Sequence, residues 1–178
     1  IAIQSNQNDQ HGGQSIPKFD YDMADGVKKT FRHRYRDNIH RALSLLANVT
    51  DSLDIAKKIT ENIEKEKGLV PTLANDNGYQ EAEAEMLAAF ANAETVKKIQ
   101  DFAFKTAVKE TDRATYQAME ALVHNLNTMN SRAGAQTPFS SINYGTDTSV
   151  EGRMVIKNIL LAEEAGLGNG ETPIFPIH

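Results

Sequence analysis

The stretch Ser131–His178, SRAGAQTPFSSINYGTDTSVEGRMVIKNILLAEEAGLGNGETPIFPIH, decides the fold class. Thr137–Tyr144 has the β-branched and aromatic content of a strand and lies between Gly134 and Gly145. From Val150 to Ala165 the pattern is helical, and Gly166 supplies the stop. The turn-rich GLGNGET then leads to a final strand, Pro173–His178. Strand, helix, strand in that order predicts a βαβ unit. Two strands joined by a helical crossover run parallel, because the helix carries the chain back to the edge where the first strand began.

Upstream the chain is expected to be mainly helical, giving two regions, 1–130 and 131–178. Residues 1–22 are polar and rich in Gln, Asn and Gly, which predicts a short extended segment and a loop. From Met23 the residues Val27, Phe31, Tyr35 and Ile39 recur every four positions, continuing to Ala42, Leu43 and Leu46. A second helix is expected after Asp51 as its cap, with Ile55, Ala56, Ile59 and Ile63 on one face and Gly68 as its end. Pro71, Asn75, Asp76 and Gly78 mark a connection. Residues 79–110 predict one long helix or two stacked ones. A further helix carries Ala118, Met119, Leu122, Val123, Leu126 and Met129.

The 178 residues carry a net charge of -5 and 40% apolar side chains, with a mean hydropathy of -0.48. That is enough to bury a core, and it argues against nucleic acid or a membrane surface as the partner. No stretch approaches the roughly 18 uninterrupted apolar residues of a membrane span. The chain starts without Met or a signal pattern and stops within an apolar run, so it is expected to be an internal fragment. There is no cysteine, which excludes disulfides, thiolate metal sites and a thiyl radical carried by this piece. A reducing, cytoplasmic setting fits. The five histidines show no HExxH or HxxxH spacing, so no metal site is expected.

Three features could bind a ligand. Along Phe139–Tyr144, Ser141 and Asn143 share one face, while Ser140, Ile142 and Tyr144 share the other. A polar pair facing a ligand would hydrogen-bond it; the plainer alternative is a sheet with one face in water. Gly166, Gly168 and Gly170 could cradle a phosphate, but they lead out of a helix into a strand, opposite to a nucleotide-binding loop, so turn formation explains them better. The cluster Lys28–Arg41 is basic in an acidic chain, and Lys28, Arg32 and Arg36 line one helix face. Such a face suits a nucleoside triphosphate or is simply solvated.

The stretch Asn125–His178 is similar along its whole length to the anaerobic (class III) ribonucleotide reductases. Ile3–Phe31, with QSNQ, HGGQS and FDY, also resembles that family. Between Arg34 and Gln117 the helices rest on periodicity alone. The resemblance implies a helix-rich fragment of an α/β fold, the ten-stranded glycyl-radical-enzyme barrel, with 131–178 as its βαβ-like end. It implies reduction of ribonucleoside triphosphates to deoxyribonucleotides. In the family a C-terminal glycyl radical, made by a radical-SAM activase, generates a cysteine thiyl radical, often with formate as reductant and with zinc on C-terminal cysteines. Those residues lie outside this chain, so no catalytic residue or cofactor is expected in it. Arg132, Ser140, Ser141 and Asn143 are carried over as substrate contacts, with the Gly166–Thr172 loop shaping the site. A dNTP or ATP effector at a helical homodimer interface implies Gln4, Gln7, Lys28, Arg32 and Arg36 as its contacts. The alternatives are an isolated helical nucleotide-binding and dimerisation module, and a piece of another glycyl radical enzyme.

Overall fold

The computed structural model describes residues 13–128, 137, 139–168 and 170–178. In chain order the elements are β1 (Gln14–Ile16), α1 (Phe19–Ala47), α2 (Ser52–Lys67), α3 (Tyr79–Leu87), α4 (Ala93–Thr128), β2 (Ser140–Ile142) and α5 (Val150–Ala165). They group into two units, Ile1–Gly26 with Asp112–His178, and Val27–Thr111. The first unit is discontinuous because β1 pairs with β2, far along the chain.

In that first unit β1 and β2 are parallel, with Gln14, Ser15 and Ile16 opposite Ser140, Ser141 and Ile142. On its other side β2 meets Ile177, also in parallel: Ile142 N donates to Ile177 O at 2.8 Å, and Ile177 N donates to Ser140 O at 2.9 Å. The expected parallel relation across α5 is therefore present. The pairing is much shorter than Thr137–Tyr144 and Pro173–His178, however. Pro173 and Pro176 have no N–H to give a ladder. Ser149 caps α5, its Oγ accepting from Gly152 N at 3.0 Å. Gly152 is required there, since a Cβ would lie 2.5 Å from the Asp147 side chain. Phe19, Val123, Leu126, Ile142, Val155, Ile159 and Phe175 are buried in this unit.

The second unit is helical. Val27, Phe31, Tyr35, Ile39 and Leu43 are buried on α1, and Ala56, Ile59 and Ile63 on α2. Phe31 packs edge-on against Phe104, with ring centroids 5.7 Å apart, and Tyr35 packs likewise on Tyr79 at 6.0 Å. Gly68 ends α2 in the left-handed conformation, its N–H donating to Glu64 O. Asp51 precedes α2 without capping it, because its backbone is not extended.

Two boundaries differ from expectation, the start of α1 and the end of α4, and of the two alternatives for 79–110 the pair of helices is found. Helix α1 begins at Phe19, not Met23, and buries Ala24 while Met23 is 38% exposed; Leu46, expected inside, is 49% exposed. The segment 79–110 is broken at Ala88–Asn92, where Asn92 Oδ1 accepts from Thr95 N at 2.9 Å and starts a new helix. That helix then continues without interruption to Thr128. Its buried stripe runs Ile99, Ala103, Ala107, Thr111, Thr115, Met119, Val123. Two threonines hold the four-residue spacing where an apolar count loses it.

Candidate functional site

Both parallel strands of the first unit lead into helices at the same edge of the sheet. β1 passes through Pro17 and Lys18 into α1, and β2 passes through 143–149 into α5. In parallel α/β folds this carboxyl edge is where ligands bind, because the loops there are free of the strand ladder and the helix N-termini point at it.

The register separates the two faces. Ser15, Ser141 and Ile177 form one row across the sheet, and Ser15 and Ile177 are exposed with Ser141 half-buried. By alternation Asn143, which is exposed, continues this open face. The row Ile16–Ile142 belongs to the other face, where Ile142 is buried. Ser140 lies there too, 4% exposed, and its Oγ has no hydrogen-bond partner among the described residues. Its register partner Gln14 has an equally unpartnered Nε2. Ser140→Ala is therefore expected to leave stability unchanged or raise it by up to about 1 kcal/mol, since an unpaired buried hydroxyl is removed. A loss above 1 kcal/mol in urea unfolding would show that the hydroxyl has a partner. Arg132, the remaining substrate candidate, lies outside the described residues, as do Gln4 and Gln7.

The backbone leaving β2 is held by a buried carboxylate that sequence reading missed. Asp20, fully buried in the first turn of α1, accepts through Oδ2 from Gly145 N at 2.8 Å and Asp147 N at 2.9 Å. Its Oδ1 accepts from Tyr21 N at 3.0 Å. Burial works against the charge, but the hydrogen bonds from Asp147, Gly145 and Tyr21 outweigh it and hold this carboxyl below its ordinary range. At the same edge His178 Nδ1 lies 2.7 Å from the Tyr144 hydroxyl, and its Nε2 meets Glu163. Burial, reinforced by Glu163, pushes the Tyr144 hydroxyl up. Residues 166–168 and 170–172 precede the Ile177 line, and there Leu167 N donates to Glu171 O and Glu171 N to Gly168 O, both at 3.0 Å.

On the second unit Lys28, Arg32 and Arg36 are half-exposed along α1. Arg36 Nη2 contacts His33 Nδ1 at 3.0 Å. The Nε–H groups of Arg32 and Arg36 are buried and find no acceptor among the described residues. A buried, unpaired guanidinium donor is costly, and an anion would satisfy it. Deeper in this unit Glu83 is 1% exposed and accepts from Tyr35 Oη at 2.7 Å and Gln100 Nε2 at 3.0 Å. Burial raises its carboxyl to about 7, with the bonds from Gln100, Tyr35 and Tyr79 opposing.

Chemically, the carboxyl edge of the sheet offers amide, hydroxyl and carboxylate groups, which can donate and accept hydrogen bonds. No cysteine is present in the chain. Among the described residues no cluster of three His, Asp or Glu side chains could hold a metal, and no helix is long and apolar enough to cross a membrane.

Residues 1–178 match a family model described as anaerobic ribonucleoside-triphosphate reductase. The chain is similar to three curated proteins that carry the same description. One, from Enterobacteria phage T4, is 43% identical over 75 residues, 42% of this chain and 12% of that protein. Those from Salmonella typhimurium strain LT2 and Escherichia coli strain K12 are each 38% identical over 71 residues, 39% of this chain and 10% of theirs. The matched stretches thus span about a tenth of the length of these relatives.

Proposed function

Because the chain belongs to the anaerobic ribonucleoside-triphosphate reductase family, we propose that it is the part of a glycyl radical reductase that seats the ribonucleotide and carries an effector-binding helix. Ser141 and Asn143 hydrogen-bond the ribose and phosphates from the open face of the sheet. The observation that carries this reading is the row Ser15–Ser141–Ile177, continued by Asn143, which leaves polar groups uncovered on a sheet whose opposite face holds Ile142. β1, β2 and the Ile177 line then act as neighbouring strands of the ten-stranded barrel.

In such a reductase a glycyl radical and a cysteine thiyl radical, with formate as reductant, supply the chemistry that converts ribonucleoside to deoxyribonucleoside triphosphates. This chain has no thiol, so it fits neither the thiyl role nor the zinc on cysteines. It binds and orients only. A radical-SAM activase and a second copy of the reductase are the proposed partners. The effector, a dNTP or ATP, is held by Lys28, Arg32 and Arg36, a placement supported by the unpaired Nε–H groups of the two arginines.

The test uses the full-length reductase that carries this chain, activated and assayed without oxygen. Ser141→Ala and Asn143→Ala are expected to lower kcat/KM for ribonucleoside triphosphates by roughly tenfold or more, with unchanged circular dichroism; tenfold corresponds to about 1.4 kcal/mol. Arg32→Ala and Arg36→Ala are expected to weaken dNTP binding in calorimetry. Unaltered kcat/KM in both strand variants removes the seating role. Unaltered dNTP affinity removes the effector role.

A further inference from the structure

The open face of the sheet can hold a ligand only if the backbone leaving β2 keeps one path. Three groups hold that path. Asn143 N donates to Ile16 O, and Phe19 N donates to Asn143 O, both at 2.9 Å, so this residue is gripped by the chain on either side of Pro17. Two residues on, Asp20 Oδ2 takes the amides of Gly145 and Asp147. From Asp147 the linkage continues, its Oδ1 accepting from Ser149 N at 2.8 Å, and Ser149 then caps α5. One buried carboxylate therefore fixes the loop between Asn143 and the start of α5 to the start of α1.

We propose that Asp20 is a positioning residue for nucleotide binding: it sets the path of 143–147 at the carboxyl edge of the sheet, and so aims Asn143 at the ligand, without touching the ligand itself. This rests on the reading of Ser141 and Asn143 as the substrate seat. One feature separates it from a general packing role: the two amides that Asp20 holds belong to the loop and not to a helix or strand ladder.

The test compares Asp20→Asn and Asp20→Ala in the full-length reductase, kept unactivated so that binding is read without turnover. Asparagine matches the shape of the carboxyl but presents one oxygen where two now accept, so it preserves folding better than alanine. Both variants are expected to speed hydrogen exchange at Gly145 and Asp147 and to raise the Kd for a ribonucleoside triphosphate about tenfold or more, alanine more than asparagine. dNTP affinity and the exchange of amides in 27–111 are expected to stay unchanged. Faster loop exchange in Asp20→Asn with an unaltered ribonucleotide Kd would overturn the positioning role while leaving the substrate seat in place. An unaltered protein that binds no ribonucleoside triphosphate would overturn the seat, and this inference with it.

Discussion

Glu83→Gln is expected to stabilise the chain by about 3 kcal/mol at about pH 8 and to change little near pH 4. The carboxyl titrates from an ordinary 4.5 in the unfolded chain and at about 7 in the folded one. Between those values the folded state keeps a proton that the unfolded state has released. Stability therefore falls as pH rises from 4.5 and levels off above about 7. Each unit of difference corresponds to about 1.4 kcal/mol. Glutamine cannot ionise, yet its carbonyl oxygen can still accept from Tyr35 Oη and Gln100 Nε2. Unfolding in urea across this pH range should give curves for the two proteins that meet in acid and diverge toward alkali. Parallel curves would mean that Glu83 is not desolvated. Alanine behaves differently: it leaves both donors unpaired in a buried site and destabilises at every pH.

Much of this was legible in the residue pattern, and the polar residues it left out share a cause. The α1 stripe Val27, Phe31, Tyr35 and Ile39 is buried as its spacing implies. Alternation along Phe139–Tyr144 correctly groups Ser141 with Asn143 and Ser140 with Ile142. It cannot say which group is covered, because that depends on which side of the sheet residues distant in sequence pack against. Asp20 and Asn127 escape notice for the same reason, and the alternating run Glu81, Glu83 and Glu85 reads as solvated although Glu83 is buried. Each is an ordinary polar residue on a helix until a remote backbone or side-chain group is brought against it. The uninterrupted α4 was hidden by chemistry of another kind. Thr111 and Thr115 occupy buried stripe positions while counting as polar.

The second large effect is expected at Asn127, in the last turn of α4. Its amide uses its full hydrogen-bonding capacity. Nδ2 donates to Val123 O at 2.7 Å and Phe175 O at 2.6 Å, while Oδ1 accepts from Ile174 N at 2.8 Å and Phe175 N at 3.0 Å. These bonds substitute for a neighbouring strand along 174–175, where the chain approaches its pairing at Ile177. Asn127→Ala is expected to cost about 2–4 kcal/mol, since the main-chain groups of buried Phe175 lose their partner, while water can reach exposed Ile174. Asn127→Asp discriminates further. At neutral pH a carboxylate still accepts from the two amides but faces the carbonyls of Val123 and Phe175, so it should destabilise as well. Protonation restores one donor, so this variant alone should gain stability relative to the unaltered chain as pH falls. Because Ile177 pairs with Ser141, hydrogen exchange at Ile142 and Ile177 should rise in both variants. A loss of stability without faster exchange there would place the contribution of Asn127 within α4 and not in the strand that borders the open face.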